Sequence, residues 1–403
     1  MTTKAMGGCR ACGGTALASV LDLGRMPLAG GFLPGPEAID DEERYPLEVH
    51  VCEDCALVQI VDPVDPDVLF QDYSFSSSTV VPLVDHFRDY AAWLKARFAP
   101  ERVIEFGCND GVLLAPLGEL GVAALGVDPS RNITELARDR GLDARTGFFD
   151  VPMATALREE VGPVQVVTGS NAFAHNADPT TILEAAKAVL EPGGHLCLEV
   201  MYAGDLLDQV QWDTLYHEHL TFYSLGTLDR LLKRNGFGMV HAERIPMHGG
   251  SIRVVAQLSD SVPSPSSGME GIVAQEEQAS LNNPRTWTEF GQVVDRKIQI
   301  VRDVFAGLSE HSRVWAYGAA GKATMWVNAC SMDYLESVVD ASPLRAGKLM
   351  PGTHTPIVFP ERLRDDPPDH LFVTAWNYLD RIREVEPWFE GIWSVPLPDL
   401  RFL

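Results

Sequence analysis

Residues 216–219 read Tyr216-His217-Glu218-His219, which places a phenol, two imidazoles and a carboxylate in one short stretch. Imidazole titrates near neutral pH, and an adjacent carboxylate can orient or tune it. A group of this kind can take a proton from a bound molecule. The two histidines are too close for the metalloprotease H-E-x-x-H pattern. In extended structure Tyr216 and Glu218 would share one face, with His217 and His219 on the other. No third metal ligand is evident nearby, so general acid–base chemistry is the stronger reading, with a hydrogen-bonded core cluster as the plain alternative. Downstream, His248-Gly249-Gly250-Ser251-Ile252-Arg253 reads as a glycine turn entering a strand. It can cradle a phosphate or close a site, which makes His248, Ser251 and Arg253 candidates for substrate binding.

A second constellation describes a ligand. Val103–Phe106 is a short apolar strand, and the chain then turns on Gly107 and Gly111 through Cys108, Asn109 and Asp110. A second strand, Ala123–Val127, leads to Asp128. Glycines allow close approach of the main chain to a ligand. An acidic residue at the tip of the second strand is placed to hold a ribose diol. Dinucleotide sites follow the same plan with G-x-G-x-x-G, but Asn109 stands where their middle glycine belongs. Glu105 before the turn, with Asn109 and Asp110 in it, suits a ligand with a cationic amino-acid end, such as S-adenosylmethionine.

The elements needed to position these groups are legible. Apolar spacing predicts a helix over Pro82–Lys95, then helices Leu113–Leu120 and Asn132–Arg140 alternating with the strands, as in a doubly wound sheet. Gln165–Asn171 is the next strand. Its exit points Asn171 and His175 toward the cofactor cleft, because ligands gather at strand C-termini in this architecture. Helix Pro179–Leu190, a Glu191-Pro-Gly-Gly turn and strand His195–Val200 follow. In Gly147-Phe148-Phe149-Asp150 an aromatic ring and an acid can bracket adenine. Phe149 is the candidate, and a core role suits Phe148.

Cys9, Cys12, Cys52 and Cys55 form two C-x-x-C pairs. This predicts a tetrahedral zinc site that is structural, because four thiolates leave no open position. His50 is a weaker substitute ligand. Ala16–Leu23 and Leu57–Asp62 look like short strands beside the pairs. Cys108, Cys197 and Cys330 read as buried packing residues.

The C-terminal third repeats the grammar of the middle. Ser261–Asn283, rich in Ser and Pro and then acidic, reads as a junction or surface loop, and Trp287–Leu308 as a helix. Arg313–Lys322 gives a strand, a glycine turn and a helix start. Ser337–Asp340 and His370–Thr374 are further strands. Lys322 is the candidate phosphate contact, and Tyr317 can stack on or hydrogen-bond to a substrate.

At 403 residues the chain predicts two or three domains. Its net charge of −24 repels nucleic acid and anionic membranes. No stretch is apolar enough to span a bilayer, and the first residues lack a signal-peptide core. The expected setting is cytoplasmic, as a monomer or weak homo-oligomer.

Taken in order, the C-x-x-C pairs, E-x-G-x-N-D-G, Y-H-E-H, H-G-G-S-x-R and Y-G-A-x-x-K resemble the sugar C-methyltransferases of deoxysugar biosynthesis, from Cys9 to about Pro398. The resemblance implies an α/β chain in three parts. A zinc-binding module spans 1–72, a Rossmann-like S-adenosylmethionine domain 73–260, and a C-terminal Rossmann-like domain that helps to bind the nucleotide sugar 261–403. It implies methyl transfer to a carbon beside the ketone, commonly C3, of a dTDP-linked 4-keto deoxysugar. His219 matches the family's base, and Glu218, Tyr216 and His175 match other active-site positions. One departure stands out. Phe75 occupies the place of a family tyrosine in Tyr73-Ser-Phe-Ser-Ser-Ser78, which marks Phe75 and Ser76 as substrate-side positions and leaves Tyr73 or Ser76 to compensate. A methyltransferase for hydroxyl groups or for other carbonyl compounds is the alternative, followed by an inactive zinc- and cofactor-binding protein.

Overall fold

The computed structural model describes residues 7–70, 73–258 and 267–403. The domain boundaries expected at 72/73 and 260/261, the first six residues and the start of the Ser261–Asn283 stretch lie outside the described residues or at their edge. In the N-terminal part, β1 (Leu17–Pro27), β2 (Arg44–Cys52) and β3 (Val58–Ile60) form an antiparallel meander. The two C-x-x-C turns lie at its end, one before β1 and the other between β2 and β3. A short helix, α1 (Pro66–Phe70), follows.

The middle part starts with α2 (Val81–Phe98) and then alternates β4 (Arg102–Phe106), α3 (Leu114–Glu119), β5 (Ala123–Asp128), α4 (Arg131–Asp139), β6 (Ala144–Thr146), α5 (Val151–Val161), β7 (Val164–Ser170), α6 (Pro179–Val189) and β8 (Leu190–Met201). These five strands are parallel. The Pro-Gly-Gly expected as a free turn instead lies within β8, where the pairing slips between Val164↔Leu190 and Val166↔His195. After α7 (Ala203–Asp208), β9 (Thr221–Phe222) leaves this sheet and pairs with β3 of the N-terminal sheet. The chain returns through α8 (Leu225–Arg234) to β10 (Phe237–Ile245) and β11 (Ser251–Leu258), which extend the sheet antiparallel. The strand order β10-β11-β8-β7-β4-β5-β6 reverses between β4 and β7. The crevice beyond the strand C-termini at such a reversal is where open α/β sheets bind ligands.

The stretch expected as a loop at 261–283 contains a helix, α9 (Ser267–Gln278), whose Glu276 accepts the Leu225 and Gly226 N–H groups at the start of α8. The acidic composition read as solvated loop thus caps a neighbouring helix. α10 (Pro284–Ser309) packs on β1 so closely that any side chain at Gly291 would meet the Val20 carbonyl. A third sheet holds β12 (Val314–Tyr317), β13 (Val338–Val339), β14 (Ile357–Val358), β15 (His370–Val373), β16 (Ile392–Val395) and an antiparallel β17 (Arg401–Phe402), in the order β14-β13-β12-β15-β16-β17. Its helices are α11 (Gly321–Ala329), α12 (Pro360–Asp365) and α13 (Leu379–Val385). Leu33 bridges to Leu349, and the Thr324 hydroxyl donates to the Ala29 carbonyl (3.1 Å), which ties the third sheet to the N-terminal part. Among the described residues no helix is long and apolar enough to cross a membrane.

Candidate functional site

One cavity of about 520 Å³ opens where the three parts meet, within the range of small-molecule sites. Its first wall comes from the crossover after β4. Gly107 holds φ +66°, and a Cβ there would collide with Ala172, so the main chain reaches the cavity only with glycine. Asp128, at the end of β5, accepts the Asn109 N–H (3.0 Å) and the Ser130 N–H (2.9 Å), and lines the cavity. Asn171 lies at the exit of β7 with φ +55° and a buried, unpartnered Oδ1. An unpartnered acceptor and an anchored carboxylate lining one cavity fit the polar parts of S-adenosylmethionine.

Three expected cofactor positions sit elsewhere. Glu105, Asp110 and Gly111 are outside the cavity wall. Asp110 accepts the Ser76 hydroxyl (2.6 Å) and the Ser78 N–H (3.2 Å), while Asn109 donates to the Phe75 carbonyl and accepts the Ser77 N–H. These groups clamp the 75–78 segment over the turn. Ser76, expected at the substrate, is a buried strut. Phe75 itself lines the cavity. Both aromatics line the cavity: Phe149 is buried and stacks on Phe106 (centroids 5.6 Å apart), while Phe148 stands 43% exposed at the rim.

The Tyr216–His219 segment is a turn, closed by the His219 N–H donating to the Tyr216 carbonyl (2.8 Å). The face-sharing expected of a strand is therefore absent. Tyr216, Glu218 and His219 all line the cavity, and His217 turns away to the Tyr45 carbonyl. His219 Nδ1–H donates to the Thr214 carbonyl at 2.7 Å. This contact selects the tautomer in which Nε2 carries the lone pair. Burial, with His175 beside it, holds the His219 imidazole well below its ordinary pKa, so the ring is neutral at pH 7. Its ring lies 4.0 Å from that of Tyr216 and 5.0 Å from that of His175. His175 is held by the short 3₁₀ turn Phe173–His175. Its pKa and that of His248 are pushed down by burial to about 4.

Glu218 accepts from the Tyr73 hydroxyl (3.3 Å), a partner that spacing alone did not select. Burial lifts the Glu218 carboxyl to about 7. Its folded-state pKa thus lies above the unfolded one, so the native state holds the proton more tightly. Stability is lost as pH rises from the unfolded value toward 7. A Glu218→Gln variant should therefore match the parent near pH 4 and exceed it by about 3 kcal/mol above pH 7. Denaturant titrations at the two pH values check this, and a pH-independent difference would contradict it.

The third wall comes from the C-terminal sheet. Tyr317, at the end of β12, lines the cavity and donates to the buried Glu386 (3.3 Å). Asp340 accepts the Ala319 N–H (2.7 Å) and the Ser342 N–H (2.8 Å), the same two-bond pattern as Asp128. Arg345 lies 3.5 Å from it. Lys322 and His248 face the cavity from the start of α11 and from the turn before β11. Ser251 and Arg253 do not. The Ser251 hydroxyl donates to the Met247 carbonyl (3.1 Å), and Arg253 is buried in pairs with Glu199 (2.7 Å) and Glu243 (2.9 Å) over the rings of Tyr90 and Trp93. Arg253 is therefore structural; its partners lie on neighbouring strands and on α2, which local spacing cannot reveal.

At the other end of the N-terminal sheet the four thiols converge. The Cys9–Cys55 and Cys12–Cys52 sulfurs are each 3.5 Å apart, and all four lie within 4.8 Å of one another. A tetrahedron of Zn–S bonds has edges of about 3.8 Å, so the set fits a four-thiolate zinc. His50 is not among the clustered ligands.

Family models match in the same order: a zinc binding domain over residues 9–70, a methyltransferase domain over 83–242 and a C-methyltransferase C-terminal domain over 246–398. The C-methyltransferase NovU of Streptomyces niveus is 31% identical over 404 residues, covering 98% of this chain and 96% of that protein. The mitochondrial ubiquinone biosynthesis O-methyltransferase of Homo sapiens is 27% identical over 153 residues, 34% of this chain and 42% of its own. The CcbJ methyltransferase structure from Streptomyces caelestis aligns at TM-score 0.35 and 18% identity over 43% of this chain and 89% of its own. With similarity to NovU along its whole length and all three family domains in order, this chain belongs to the S-adenosylmethionine-dependent C-methyltransferases that carry an N-terminal zinc-binding module.

Proposed function

We propose that the chain methylates the carbon beside the ketone, C3, of a dTDP-linked 4-keto deoxysugar, through an enolate made by His219. The observation that carries this reading is the His219 Nδ1–H contact to Thr214, which leaves Nε2 as a base inside the cavity. A carbon next to a ketone yields its proton because the charge spreads onto oxygen, provided a base and donors are at hand. Tyr216 and His175, packed around His219, are assigned as donors toward that oxygen. Glu218, with Tyr73, orients the sugar. Bound S-adenosylmethionine supplies a methyl group activated on a sulfonium sulfur. Asp128, Asn171, the Gly107 turn, Phe149 and Phe148 are assigned to hold it. The dTDP part is assigned to the C-terminal wall, near Tyr317, Asp340 and Arg345. The matching domain division is 1–72, 73–260 and 261–403, in a cytoplasmic enzyme of deoxysugar and antibiotic biosynthesis that works as a monomer or weak homo-oligomer.

Turnover against a panel of dTDP-4-keto sugars, read by mass spectrometry and NMR, tests the proposal. The expected product carries one new carbon-bound methyl next to the ketone. A methyl on oxygen, or no product from any member of the panel, would overturn it.

A further inference from the structure

Lys322 is the second residue of α11 and lines the cavity, yet its Nζ is buried without a hydrogen-bond partner. It sits 4.2 Å over the ring of Trp376. Asp213 acts on it only through space: its Oδ2 is taken by the indole N–H groups of Trp326 (2.9 Å) and Trp376 (2.8 Å), its Oδ1 makes no hydrogen bond, and its charge favours the ammonium without contact. A buried ammonium with no direct counter-ion is costly, and burial accordingly pulls its pKa down. Such a charge is retained where a ligand's negative charge meets it.

The position of the ammonium indicates which charge that is. Its helix start abuts Tyr216, the ring packed on the base: a Cβ on Gly321 would come within 3.0 Å of the Tyr216 ring. Lys322 also lies close enough to His219 and His248 to disfavour their protonated forms. A separate cation, Arg345, stands beside Asp340 on the wall assigned above to the nucleotide, with its Nε 3.5 Å from the carboxylate and its Nη1 donating to the Ala319 carbonyl (3.3 Å). The phosphate role expected for Lys322 therefore has a better-placed candidate.

We propose that Lys322 is a catalytic residue whose ammonium donates a hydrogen bond to the substrate's keto oxygen and holds the negative charge that forms there. This inference rests on the enolate reading given above. In the step, the α-carbon–hydrogen bond breaks and the proton passes to His219 Nε2. The bonding pair becomes the new carbon–carbon π bond, and the carbonyl π pair moves onto oxygen. Lys322 keeps its three protons throughout, and no oxidant or reductant is required.

The test measures solvent deuterium exchange at the α-carbon of dTDP-4-keto-6-deoxyglucose at saturation, and separately the affinity for dTDP, in the full-length zinc-loaded protein. Lys322→Met should slow exchange by roughly 10²–10³-fold, the usual effect of losing one oxyanion donor, with dTDP affinity unchanged. Lys322→Arg should recover part of the rate, and it keeps the test valid should the methionine variant fold poorly. Unchanged exchange in both variants, or weaker dTDP binding with normal exchange at saturation, would overturn the role of Lys322 alone. Absence of exchange in the parent protein would instead overturn the enolate reading, and this role with it.

Discussion

Replacing His219 with alanine should lower turnover by roughly 10²–10⁴-fold, the usual contribution of a positioned general base. The size of the effect follows from how the ring is held. The Thr214 carbonyl fixes the tautomer, and Tyr216 and His175 pack beside the imidazole, so no other side chain inherits the same placement. Burial keeps the ring neutral through the physiological range, and a base is useful only when unprotonated. The variant should bind S-adenosylmethionine as the parent does, because the groups assigned to that ligand belong to the ends of β4, β5, β6 and β7 and the crossovers after them. Steady-state kinetics with a parallel binding titration checks both statements. A variant within tenfold of the parent would remove His219 from the chemistry.

Zinc removal should have the second large effect. Structural zinc contributes roughly ten kcal/mol or more to small thiolate modules near neutral pH. The consequence should reach the cavity. β3 pairs with β9, which starts two residues beyond His219, and the Ile60 N–H donates to the Leu220 carbonyl (3.0 Å). Arg10, between the first two cysteines, donates to the carbonyls of Ile60 (2.6 Å) and Ala177 (3.0 Å). Cys55→Ser, or prolonged chelation, should therefore lower the melting temperature and abolish turnover together. Refolding with cobalt should restore both, because four thiolates leave the metal no position for substrate. Zinc-free protein with full activity would contradict this account.

How much of this could be read from the chain depends on the range of the interactions. The cysteine pairs, the Gly107–Asp128 turn and the strand–helix alternation are local patterns, and the structure places them as expected, within a few residues at the element ends. The Tyr216–His219 segment is a different case. Its composition announces chemistry, but its backbone is a turn anchored by Thr214 and by β9, so strand periodicity assigned the faces wrongly. Arg253 and Ser76 look like substrate ligands in sequence because they are polar and flank glycine or serine motifs. Their partners, Glu199 and Asp110, lie on other elements and become visible only when the sheets are assembled. The unpaired state of Lys322 is likewise a property of the assembled cavity, since it depends on Trp376 and Asp213 from distant segments.

The central claim is that position 219 makes a carbanion equivalent beside a carbonyl. The most direct measurement is incorporation of deuterium from D₂O into a dTDP-4-keto sugar without any methyl donor, followed by NMR. The account predicts exchange confined to the carbon next to the ketone in the parent protein and none above background in His219→Ala. Equal exchange in both proteins, or methyl transfer without any exchange-competent proton at that carbon, would contradict it.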